Sequence, residues 1–156
     1  MPELVCDTSV IQYLHQLDLL RILPRLGEKV IVPPAVGRYL GINLPNIEAL
    51  DWVLVRRPIS ERALPLITHL GPGEAEVLML TVETPNAVAV LNDALARQIA
   101  ETLDLHFTGT LGLLLDAKEA GLITKVRPLL DRLNALQFRL APHTYETVLR
   151  LANEAE

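Results

Sequence analysis

The chain has 156 residues, half of them hydrophobic, a formal net charge of −5 and one cysteine. That length suits a single domain over 1–156 with a full core. The charge argues against a broad basic surface for non-specific DNA binding, and a lone cysteine excludes an intrachain disulfide framework or a cysteine-rich zinc site. No apolar run nears the roughly 18 residues of a membrane span, and the first residues carry acids rather than a basic start, so the expectation is a soluble, cytoplasmic chain with no membrane partner. Aromatics are scarce, so Leu, Val, Ile and Ala must build the core.

The first predicted strand is Leu4-Val5-Cys6. Cys6 reads as a small buried hydrophobe. Asp7 ends the strand, and Thr8 and Ser9 are N-cap candidates for a helix with apolar positions Val10, Ile11, Leu14, Leu17 and Leu20. A short helix over 19–23 is expected to stop at Pro24. A strand follows over 29–32, then a helix over 35–40 behind Pro33-Pro34, a loop over 41–45 and an edge strand over 52–55. A helix over 60–69 leads to the break Leu70-Gly71-Pro72-Gly73, and another helix covers 74–83. The apolar run 87–91 is a strand ending in Asn92-Asp93, and a helix covers 94–103. A short strand over 105–107 precedes Thr108-Gly109-Thr110 and a helix over 111–120, capped at Gly121. Helix 125–136 tolerates Pro128 in its first turn, a last strand is expected over 138–140, and Pro142 opens a helix to about Ala152. Alternating strands and helices predict an α/β fold with a parallel central sheet and helices on both faces.

In such sheets the carboxyl ends of the strands face the ligand crevice. Asp7 and Asp93 lie at strand ends, and Glu74 and Glu76 open a helix. Hard cations such as Mg²⁺ take one or two carboxylates with water and phosphate, and such an ion activates water against a phosphodiester. Glu74 and Glu76 are two apart, so at most one faces the crevice. Each acid also has a structural alternative: Asp7 and Asp93 as N-caps, Glu74 and Glu76 as partners of a helix dipole. Asp116 reads as a solvated helix residue. Thr108 and Thr110 flank Gly109 where hydroxyls and N–H groups can meet an anion. His15, His69, His106 and His143 lack ligand spacing, and Arg56, Arg57 and Arg97 are candidate phosphate contacts. No phosphate-binding glycine loop or nucleophile elbow is present.

These stretches resemble a family. Leu4-Val5-Cys6-Asp7-Thr8-Ser9 followed by Val30-Ile31-Val32-Pro33-Pro34-Ala35-Val36 is similar to the opening of a PIN domain, within a prokaryotic PIN-like branch. Gly73-Glu74-Ala75-Glu76, Leu91-Asn92-Asp93-Ala94-Leu95-Ala96-Arg97 and Thr108-Gly109-Thr110-Leu111-Gly112-Leu113-Leu114-Leu115 carry it further, over residues 4–151. The resemblance implies a three-layer α/β/α sandwich with a central parallel sheet. It implies metal-dependent cleavage of RNA, with Mg²⁺ or Mn²⁺ held by Asp7, Glu74 and Asp93, Glu76 as a further candidate, and Thr110 as the polar support. It also implies a role as the toxin of a toxin–antitoxin pair, an antitoxin partner and a homodimer. One acid of the family pattern is missing: it would fall at Arg38 or Tyr39, with Glu76 or Glu48 as substitutes. The alternatives are a catalytically degenerate PIN-like domain that binds RNA or protein, and a phosphatase like the haloacid dehalogenases, which carry a second acid where this chain has Ser9.

Overall fold

Strands β1 (Glu3–Cys6), β2 (Val30–Val32), β3 (Val53–Val55), β4 (Ala87–Val90) and β5 (His106–Thr108) form one all-parallel sheet in the order β3-β2-β1-β4-β5. The structure is a computed structural model that describes residues 1–44, 47, 50–59 and 69–155. The central strands are continuous apolar runs because both faces are covered: Leu4, Val5, Cys6 and all three residues of β2 are buried. The edge strand β3 leaves Val55 56% exposed.

The described helices are α1 (Thr8–Gln16), α2 (Leu23–Leu26) behind a 3-10 turn at Leu20–Ile22, α3 (Pro34–Asn43), α4 (Pro72–Glu83), α5 (Ala94–Thr102), α6 (Thr110–Glu119), α7 (Arg127–Ala135) and α8 (Pro142–Leu151). They complete a three-layer α/β/α sandwich. Helix α4 lies on β1 and β4 and touches α3 and α5, while α6 touches α1, α2 and α8. Ile11, Leu14, Leu17, Leu78, Leu80, Leu113 and Leu114 fill the two interfaces with the sheet. Among the described residues, no helix is long and apolar enough to cross a membrane.

Several local expectations change. Residues 138–140 form no strand. Gln137 takes φ +67, its N–H bonds to Asn134 O at 3.2 Å and the Phe138 N–H to Leu133 O at 3.0 Å, so the donor a strand would need closes α7 instead. The Phe138 ring meets Tyr13 edge-on at 4.9 Å. Pro24 does not stop a helix; it sits in the first turn of α2, where its missing N–H costs nothing. Helix α3 continues to Asn43, through part of the expected loop. Helix α1 begins at Thr8, so Asp7 rather than Thr8 or Ser9 occupies the N-cap position. Residues 60–68 of the expected helix 60–69 lie outside the described residues, as does Glu48. Gly121 ends α6 as expected, at φ +77 with its N–H on Lys118 O.

The chain's last residues tie into this frame. Glu154 Oε2 accepts from Val126 N at 2.7 Å and Lys118 Nζ at 2.9 Å, and its Oε1 accepts from Arg127 N at 3.1 Å. One carboxylate thereby satisfies open donors at the start of α7 and anchors α6. Lys118 also donates to the Ala152 carbonyl.

Candidate active site

The connections leaving β1 and β4 run in opposite directions along the sheet, which opens a crevice at their carboxyl ends. Register brings the two ends level: Cys6 pairs with Val90, and the Asp7 N–H donates to Val90 O at 2.9 Å. Asp7 therefore leaves β1 where Asn92 and Asp93 leave β4. The cavity there measures about 820 Å³, and its lining includes Asp7, Glu74 and Asp93.

Each acid is held differently. Asp7 is 6% exposed. Burial pushes its carboxyl up to about 6, the charges of Glu74 and Asp93 add to the rise, and the Thr8 N–H opposes it. Its side chain makes no N-capping bond to α1, and no ion pair among the described residues includes it. Glu74 stands in the first turn of α4, behind the Gly71-Pro72-Gly73 break. Gly73 lets that turn approach Asp7: a Cβ there would stand 3.1 Å from Asp7 Oδ1 and 3.3 Å from Val36 Cγ2. Asp93 N-caps α5, its Oδ2 accepting from Ala96 N at 2.9 Å, so the capping role foreseen for it is real and leaves Oδ1 for a further partner. The neighbouring Cys6 thiol is raised by burial and then by Asp7, and so stays protonated and inert.

Glu76 faces elsewhere. Its Oε2 accepts from Ala35 N at 3.0 Å, which spends the carboxylate on the start of α3. Thr110 is fully buried and does not line the cavity. Its Oγ1 accepts from Asn92 Nδ2 at 3.0 Å, and its N–H donates to Asn92 Oδ1 at 3.0 Å. Asn92 Nδ2 also reaches Ser9 Oγ at 3.2 Å. Asn92 is thus a clamp that ties the end of β4 to the starts of α1 and α6, and sequence reasoning missed it because its partners are distant in the chain. Asn92→Ala is expected to cost about 1–3 kcal/mol by stranding a buried hydroxyl and N–H, read as a lower midpoint in urea unfolding. An unchanged midpoint would mean that water replaces the amide.

Where an acid was missing, the structure has a cation. Arg38, Tyr39 and Arg139, the last on the segment after α7, line the crevice and are exposed. Arg56, Arg57 and Arg97, the candidate phosphate contacts, are not among its lining residues. Among the described residues no three His, Cys, Asp or Glu side chains form a preformed metal cage. The donor set nevertheless fits a hard divalent ion in the open manner of Mg²⁺, with one or two carboxylates and the rest water. Asp7 is desolvated and pressed by two further negative charges, with no ion pair among the described residues, which is the electrostatic deficit such an ion would fill.

No curated protein sequence matches the chain. A family model described as a PIN domain matches residues 3–154. That span takes in β1 and Asp7, the α4 start with Glu74, the β4 end with Asn92 and Asp93, and the Glu154 latch, and so the chain belongs to the PIN-domain family.

Proposed function

We propose that this protein is a metal-dependent ribonuclease using Mg²⁺ or Mn²⁺. The observation that carries this reading is the buried carboxylate of Asp7 at the switch point of the sheet, with Glu74 and Asp93 around the same cavity. Asp7, Glu74 and the free oxygen of Asp93 would hold a divalent ion, which would supply charge neutralisation and water of lowered pKa at the phosphodiester. Asn92 keeps the two strand ends in register and Thr110 fixes Asn92 from behind, so Thr110 is a positioning residue. Arg38 and Arg139 bind substrate phosphates at the rim.

The test is cleavage of a mixed RNA pool with Mn²⁺ or Mg²⁺, comparing the wild type with Asp93→Asn. Asparagine is an equally good N-cap, so the variant keeps its helix and loses only a charge. Metal-dependent cleavage that disappears in the variant is the expected result. Cleavage that persists in chelator, or equal cleavage by both proteins, would sink the assignment. Arg38 in the crevice favours a second reading, a catalytically silent domain that binds RNA or a protein. That reading gains if wild-type protein neither cleaves RNA nor is stabilised by Mn²⁺. The toxin role, the antitoxin partner and the homodimer rest on family resemblance. They predict growth arrest on expression, relieved by a co-encoded partner, and a dimer by light scattering.

A further inference from the structure

A second cavity opens beside the acid crevice. It measures about 370 Å³, is lined by Asn92, Ala94, Arg97, Gln98, Glu101 and Phe107, and shares Asn92 with the first. The Arg97 guanidinium carbon lies over the Phe107 ring, 5.3 Å from its centroid. A π face orients a guanidinium without neutralising it. The two ion pairs among the described residues, Lys29–Glu3 and Lys118–Glu154, leave Arg97 without an acid. Glu101 lies one turn along the same face of α5 and is not paired with it. Among the described residues, Arg38 and Arg139 of the first cavity are likewise in no ion pair. Cations thus stand in both cavities, with Asn92 shared between them. Backbone phosphates of a nucleic acid recur at a spacing that lets one strand meet several such cations in succession.

We propose that the second cavity is a phosphate subsite. Arg97, seated on Phe107, takes a backbone phosphate of single-stranded RNA at a nucleotide flanking the one held over the acids. The proposal rests on the ribonuclease reading for its choice of ligand and deepens it by giving the substrate a path. Phe107 is a positioning residue for the guanidinium. A duplex is disfavoured because the strand must turn from one concave pocket into the next.

The test is fluorescence anisotropy with oligouridylates of two and about eight nucleotides. It is run in chelator on the Asp7→Asn protein, so that no cleavage intervenes. Adding Arg97→Gln should weaken binding of the longer RNA. The slope of log affinity against log salt should become shallower by about 0.7, the contribution of one single-strand phosphate contact. Arg97→Lys should restore the slope, Glu101→Gln should tighten binding, and the dinucleotide should respond to none of these changes. The melting temperature of each variant shows whether packing has changed, which a purely structural Arg97 would affect without moving the slope. An unchanged affinity and slope in Arg97→Gln would overturn the subsite, as would failure of the parent protein to bind either RNA. If Arg97-dependent binding is found but wild-type protein never cleaves, the subsite stands and the ribonuclease reading falls. If wild-type protein cleaves while Arg97→Gln binds as its parent does, the reverse holds.

Discussion

Asp7→Asn should make the metal-free protein more stable at pH 7, by about 3 kcal/mol. The carboxyl is raised from 3.8 to about 6 by burial first, then by the charges of Glu74 and Asp93. Below pH 3.8 the group is protonated in both the folded and the unfolded chain, and it costs nothing. Between 3.8 and about 6 the unfolded chain has released its proton while the folded chain holds it, so stability falls as pH rises. Above about 6 the full cost of a buried charge is present. The variant's advantage should therefore grow from pH 4 to pH 6 and then level off. In melting temperature it amounts to roughly 6–12 °C at pH 7. Mn²⁺ should act the other way, raising the melting temperature of the wild type by mass action and leaving the variant nearly unmoved. Thermal melts across pH in chelator, then with Mn²⁺, check both halves. A variant less stable than wild type at pH 7 would mean that Asp7 is held by protein partners and not by electrostatic deficit.

Glu154→Ala should cost about 2–3 kcal/mol, a large loss for a residue so near the end of the chain. It strands the N–H groups of Val126 and Arg127 at the start of α7 and removes the anion from Lys118, which joins the latch to α6. Burial works to raise the Glu154 carboxyl, but the bonds from Val126, Lys118 and Arg127 outweigh it and hold the group below its ordinary 4.5. The sign is opposite to that of Asp7. Stability from Glu154 is present above pH 4.5 and is lost as pH falls through the lowered folded value. Urea unfolding at pH 7 and pH 3 should show the difference between wild type and Glu154→Ala shrinking in acid. A constant difference would assign the loss to packing. Cleavage of RNA should survive at temperatures where the variant remains folded, since the latch lines neither cavity.

The acids were readable from sequence because their placement is local. An apolar run that ends in an acid before a helical pattern puts that acid at a strand end, whatever the rest of the chain does. Asp7 and Asp93 meet this condition, and Glu74 follows a Gly-Pro-Gly break whose proline suits the first turn of a helix. Glu76 was not readable in the same way, because the α3 N-terminus that takes its carboxylate lies 41 residues away. Asn92 carried no local signal at all: an amide between a strand and an acid looks like a turn residue until Ser9 and Thr110 are beside it. The expected strand over 138–140 failed for a different reason. Phe138, Arg139 and Leu140 alternate as a strand would, yet Gln137 adopts a left-handed conformation that turns the Phe138 N–H back onto α7. Short alternating stretches are decided by how the preceding helix ends.

The sheet order also sets a timetable for synthesis. Strand β1 is made first but occupies the middle of the sheet, and its neighbour β4 arrives far later: Ser9 and Asn92, bonded in the finished protein, are 83 residues apart. At ribosomal speeds of about 5–20 residues per second this is a wait of roughly 4–17 s. During it β1 has β2 on one side and an open edge on the other. Asp93 has not been translated, and Asp7 has no fixed crevice to enter. On the proposed function, a ribosome-tethered chain halted before β4 should gain no protection from Mn²⁺ while the released protein does, which limited proteolysis of stalled and released chains with and without Mn²⁺ would read. A PIN domain built on this plan brings its acids together only after most of the chain has been made, and whatever lies nearest the ribosome during synthesis is met by a protein without its acid centre.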